Sequence, residues 1–210
     1  VLAVIVSLAV VVQAPRYFDS LNVNSISKAV DAVAITQAEV LNTDIDKFQT
    51  VLTSQIKSFG IAQALQQVGT DALPAIAEQL KAANANMGVV DVRLIPVSND
   101  YSSLNLRFSQ LDRLTSIENK SAIYPEAFGE SNNRVFDFLL PVNDESGKIV
   151  GFVLIITNEH VFSDNLGKVK PEIGETILQQ RFPGGVAQVV FRTGNGERME
   201  QVSSEMETKV

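Results

Sequence analysis

RVFDFLLPVNDESGKIVGFVLII, residues 134–156, holds the clearest structural signal in the chain. Two apolar runs, residues 135–142 and 148–156, flank Asn143-Asp144-Glu145-Ser146-Gly147. Asp, Asn and Gly are the residues that close tight turns, so the stretch reads as an antiparallel hairpin. Both arms are almost continuously apolar, as expected of strands near the centre of a sheet whose two faces are covered.

Upstream, residues 89–96 (VVDVRLIP) alternate as a strand, with Val90, Val92 and Leu94 on one side and Asp91, Arg93 and Ile95 on the other. Between this strand and the hairpin, residues 108–118 (FSQLDRLTSIE) place Phe108, Leu111, Leu114 and either Thr115 or Glu118 at helical spacing, which predicts one short helix. Downstream, residues 175–182 and 186–192 flank Pro183-Gly184-Gly185 and form a second hairpin; Thr193–Gly196 is a turn, and a last strand is expected near Arg198.

The first part of the chain has a different period. From Asn22 to Phe59 the residues Val23, Ile26, Val30, Val33, Val40 or Leu41, Ile45, Phe48, Leu52, Ile56 and Phe59 recur at steps of three and four. One long amphipathic helix follows. At ~1.5 Å per residue it reaches ~55 Å, which suits a stalk that pairs with a second copy. Gln37 at a seam position weakens that pairing, and a helix packed along its own domain is the equally open alternative. Gly60 ends the helix, and shorter helices follow at residues 61–68 and 71–83, the second with Pro74 in its first turn.

The chain opens on VLAVIVSLAVVV, residues 1–12. Twelve residues are too few for the ~20 that a bilayer crossing needs, so the run is expected to be the end of a transmembrane helix. A signal segment and a buried Val-rich strand are the alternatives. The expected division is then 1–19 anchor and juxtamembrane segment, 20–84 stalk helix and short helices, and 85–210 a sheet-bearing domain.

A net charge of −7 leaves no basic footprint for nucleic acid. With no cysteine there are no disulfides and no thiolate nucleophile or ligand. His160, the only histidine, follows a strand end with no partnering pattern, so neither a catalytic base nor a zinc site is expected. Asp137, Asp144, Glu145 and Glu159 could pair for acid and base work, but Asp144 and Glu145 lie in the turn, where Asp serves local hydrogen bonding. The Gly-rich segments join strand to strand, unlike phosphate cradles. No enzyme, no metal and no cofactor are expected.

The order of elements, and above all the segment FLLPVNDESGKIVGFVLII, resembles an extracytoplasmic PAS-like or single-Cache sensor domain. The resemblance implies an α+β fold, a long N-terminal helix followed by a PAS/Cache-like antiparallel sheet with flanking helices. It also implies a bacterial inner-membrane protein with this domain facing the periplasm. Residues 104–113 (LNLRFSQLDR), the hairpin and residues 180–194 (QRFPGGVAQVVFRTG) are in addition similar to the N-terminal region of long proteobacterial phosphomannomutase/phosphoglucomutase proteins. That family's phosphoserine loop and Asp-Gly-Asp magnesium loop are absent, so no catalytic residue carries over.

A PAS-like pocket would lie between the sheet and the helix preceding the hairpin. Arg107, Tyr124 and Arg134 are the expected ligand-binding residues for a small anionic metabolite, because Arg offers a bidentate fork to carboxylate. The sensor of a chemoreceptor or histidine kinase, and a dimerisation scaffold without ligand, are the alternatives.

Overall fold

A stripe of apolar residues every three or four positions buries one side of a helix, and that is how the chain begins to organise. The computed structural model describes residues 5–6, 20–67, 72–98, 100–118, 125–129, 134–169, 175–181 and 187–194. In chain order the elements are β1 (Ile5–Val6), α1 (Ser20–Ser58), α2 (Ile61–Gln66), α3 (Leu73–Ala83), β2 (Val89–Pro96), α4 (Phe108–Glu118), β3 (Glu126–Phe128), β4 (Val135–Asn143), β5 (Ile149–Asn158), α5 (His160–Leu166), β6 (Glu175–Arg181) and β7 (Ala187–Gly194). The protein is α+β, with a long N-terminal helix and a four-stranded antiparallel sheet flanked by helices. Its residues form two compact units, Asp46–Val161 and the combination of Val1–Ile45 with Phe162–Val210.

The unit Asp46–Val161 contains the sheet, in the order β2-β5-β4-β3, all antiparallel. The two arms of the quoted hairpin, β4 and β5, are its inner strands, which explains their continuous apolar sequence. Alternation sorts β4 into two sets. Phe136, Phe138, Leu140 and Val142 face one way, where Phe138 meets Phe48 of α1 with ring centroids 4.8 Å apart. Asp137 and Leu139 face the other way, where Leu139, Leu154, Phe152 and Ile95 pack with Leu114 and Ile117 of α4. Leu52, Ile56, Ile61, Leu65 and Leu80 are buried on the helices of this unit.

Gly151 shows how closely the layers approach. A Cβ there would lie 2.6 Å from the Ile95 carbonyl oxygen and 2.8 Å from Leu65 Cδ1. The first of these is backbone and cannot swing aside. Gly151→Ala is therefore expected to cost about 1–3 kcal/mol, the usual range for overpacking. It should lower the urea midpoint with an unchanged m value; an unaltered midpoint would show that β2 and β5 can separate at no cost.

In the other unit, Val30, Ala34, Gln37 and Leu41 form the buried stripe of α1. Gln37 is a satisfied core residue: its Nε2 donates to the Val169 carbonyl at 2.6 Å and to the Leu166 carbonyl at 3.5 Å, at the end of α5. Asp44 accepts a hydrogen bond from Asn165 Nδ2 at 2.8 Å. The amide at the supposed seam thus donates to the Val169 carbonyl just beyond α5 and adds a second, longer contact to the Leu166 carbonyl, which also accepts the Val169 N–H at 3.2 Å. This unit also carries a three-stranded antiparallel sheet, β1-β6-β7, in which Ile5 and Val6 pair with Gln179 and Leu178. Residues 195–196 and the strand expected near Arg198 lie outside the described residues.

Three linked expectations are corrected here: a transmembrane helix, attachment to a membrane through it, and an inner-membrane location with the domain in the periplasm. No helix among the described residues is long and apolar enough to cross a membrane. Within the opening apolar run, Ile5–Val6 form a strand. The physical reason was visible in the composition. β-branched valine and isoleucine favour strands, and twelve helical residues would reach only ~18 Å of a ~30 Å hydrocarbon core.

Candidate functional site

Beneath α4 the sheet presents an arrangement that its sequence alternation makes costly. Glu126 of β3 and Asp137 of β4 are direct cross-strand partners, so two carboxylates point to the same face side by side. Like charges directly opposite one another are destabilising. The structure resolves the conflict with two guanidinium groups from the segment before and within α4. Arg107 Nη2 and Gln110 Nε2 donate to Asp137 Oδ2, the latter at 2.9 Å, and Arg113 Nη2 donates to Asp137 Oδ1. Arg113 Nη1 also donates to the Asp137 carbonyl at 3.4 Å.

Glu126 is held more loosely. Its Oε1 lies 3.9 Å from Arg107 Nη1 and its Oε2 lies 3.6 Å from Arg113 Nη2. Oε2 is buried and receives no hydrogen bond from the described residues. The Arg107 guanidinium stacks 3.4 Å over the Phe128 ring, a cation–π contact that fixes its plane. Gln110 Oε1 accepts the Arg107 backbone N–H at 2.9 Å and locks the entry to α4.

Burial is graded across the cluster. The Asp137 side chain is fully buried and Glu126 nearly so, whereas Arg107 keeps 34 % of its side chain exposed. Formal charge sums to zero, with two guanidiniums against two carboxylates. Such an arrangement can orient and neutralise a carboxylate from two sides, through Arg geometry that suits planar anions.

Of the residues expected from sequence, Arg107 stands in this cluster. Arg134 precedes β4, where its backbone carbonyl accepts the Glu159 N–H at 3.1 Å. Burial pushes the Arg134 guanidinium below its ordinary value, and the nearby Glu159 charge offsets part of that. Tyr124 lies outside the described residues. Gln110, Arg113, Glu126 and Asp137 as a set were not foreseen, although Arg107, Gln110 and Arg113 recur at steps of three, and Asp137 interrupts an apolar strand. The predicted bounds of α4 are the observed ones, but its buried face is turned. Phe108 is 89 % exposed, and Gln110, Arg113, Leu114 and Ile117 point inward.

The remaining candidates sit elsewhere. Asp144 Oδ1 accepts from the Ser146 hydroxyl at 2.6 Å, the Ser146 N–H at 2.9 Å and the Lys148 N–H at 3.0 Å, within the hairpin turn. The Ser146 hydroxyl first, then the Lys148 N–H, hold its carboxyl below the usual range. His160 is exposed at the first position of α5. Among the described residues no group of three His, Asp or Glu side chains is placed to hold a metal ion.

Glu159 is the group whose titration should be felt. Burial raises its pKa above the usual value, against the opposing influence of Arg134 and then His160. A carboxyl with a raised folded-state pKa binds more protons folded than unfolded, so its contribution is complete below the unfolded pKa and is lost as pH rises through the folded one. Urea midpoints of the native protein and of Glu159→Gln, compared from about pH 4 to 7, should show the variant gaining relative stability as pH rises. A pH-independent difference would exclude Glu159 from the linkage. Asp100 and Asp144, both shifted downward, act in the opposite sense and cancel in that comparison.

Comparison of the chain with family models, with curated proteins and with solved structures gave no match.

Proposed function

We propose that this chain is a non-catalytic sensory or regulatory module that binds a small anionic metabolite at the face of its four-stranded sheet beneath α4. One observation carries the reading: a buried two-arginine, two-carboxylate cluster stands where a plain scaffold would have apolar side chains. Replacing such a network by well-packed apolar residues is often neutral or stabilising, so its presence is weak support for a purely structural role. Arg107 is reachable from solvent and already oriented by Phe128. The PAS-like or single-Cache resemblance supports the same location. The similarity of residues 104–113, the hairpin and residues 180–194 to the mutase N-terminal region suggests a sugar-phosphate mutase as the partner output.

The test is a thermal-shift screen of organic acids, amino acids and sugar phosphates on the whole chain. A ligand present at 100 times its Kd adds about 2.7 kcal/mol, which at roughly 2–4 °C per kcal/mol for a chain of this size is about 5–10 °C in Tm. Arg107→Gln is expected to abolish the shift while leaving the protein folded. Absence of any shift at millimolar ligand, or a shift that survives Arg107→Gln, counts against this site.

A further inference from the structure

We infer that Glu126 acts as an internal stand-in for the ligand, and that the incoming molecule is a small monocarboxylate that takes its place between Arg107 and Arg113. The inference rests on the ligand-binding reading above and specifies its chemistry. The two carboxylates of the cluster are not equivalent. Asp137 is fully buried and accepts hydrogen bonds from Arg107, Gln110 and Arg113, so it is the fixed counter-charge. Glu126 faces the same two guanidiniums only at 3.9 and 3.6 Å, and its buried Oε2 receives no hydrogen bond from the described residues. It neutralises without bonding well. A carboxylate free to adopt bidentate geometry would do better in the same position.

The element that carries Glu126 is suited to letting go. β3 has three residues, pairs with β4 through Glu126, Ala127 and Phe128, and is a terminal strand of the sheet. Such short edge elements open at low free energy. With Glu126 turned out, the described residues of the cluster are two guanidiniums and one carboxylate, a net +1 among them beside a fully buried Asp137. A monoanion restores neutrality, whereas a dianion such as phosphate leaves an excess negative charge next to Asp137 in a poorly solvated place. Ligand capture and the displacement of β3 are then one event, because both carboxylates cannot occupy the same face of the two arginines.

Titration of the whole chain and of Glu126→Gln with acetate, propionate and inorganic phosphate tests this. Removing the internal competitor raises apparent affinity by the reciprocal of the fraction in which Glu126 is already out. If that fraction is about a tenth or less, Glu126→Gln binds acetate or propionate roughly tenfold more tightly or better than the native protein, and phosphate less well than either. Equal affinity of the two proteins for an organic acid would overturn the displacement while leaving the ligand-binding function standing. Failure of both proteins to bind any acid of the wider screen would remove both. Should Glu126→Gln fail to fold, the native chain labelled with 13C-glutamate decides. Saturating propionate must move one glutamate carboxylate resonance from a buried to a solvated position, and an unchanged spectrum refutes displacement.

Discussion

Asp137→Ala is expected to cost about 3–5 kcal/mol of unfolding free energy, the range for removing one partner of a buried ionic network. The carboxylate is fully buried and receives Arg107, Gln110 and Arg113. Without it, the carboxylate nearest Arg107 and Arg113 among the described residues is the looser Glu126, at 3.9 and 3.6 Å. Gln110 Nε2 also loses its acceptor, and a buried donor left unsatisfied carries its full desolvation cost. Urea unfolding followed by far-UV circular dichroism measures the loss. An apolar replacement of Arg107, Gln110, Arg113, Glu126 and Asp137 together should recover much of it, since no charge is then stranded. A loss of under about 1 kcal/mol in Asp137→Ala would mean that the cluster is hydrated, with the charges separately solvated in the manner of surface pairs.

The parts of this structure that sequence reading recovers are those set by short-range pattern. The turn Asn143–Gly147 and its continuously apolar arms specify β4 and β5 as inner strands because only a strand covered on both faces tolerates such composition. The helix expected over residues 22–59 is found at Ser20–Ser58, since a 3.6 period sustained over ten turns admits no other reading. The bounds of α4 came from the same periodicity, yet its orientation did not. The apolar triplet Phe108, Leu111 and Leu114 implies one buried face, and the actual face includes Gln110 and Arg113 because Asp137, far along the chain, needs them. Nothing local to α4 encodes that Glu126 and Asp137 will be opposite one another; strand register supplies the requirement. The opening run failed for a related reason. Its apolarity was legible, but whether it sits in a strand depends on β6, more than 150 residues away. Gln37 shows the same limit, as its partners are carbonyls of Leu166 and Val169.

Phe138→Ala should match the charge-cluster variant in size, at about 3–5 kcal/mol, but by a different mechanism, since it opens a cavity rather than stranding a charge. Phe138 is among the most buried side chains and meets Phe48 in a tilted ring pair, interplanar angle 43°. That pair fixes the C-terminal portion of α1 to the sheet within the unit Asp46–Val161. If the ring pairing matters beyond area burial, the double variant with Phe48→Ala should be less destabilised than the sum of the singles by about 0.5–1.5 kcal/mol. Additive losses would mean that each ring is merely filling space. The outcome bears on the mechanics of the unit as well as on its stability. A coupled pair ties any displacement of β4, the strand that carries Asp137 and holds β3, to movement of the long helix.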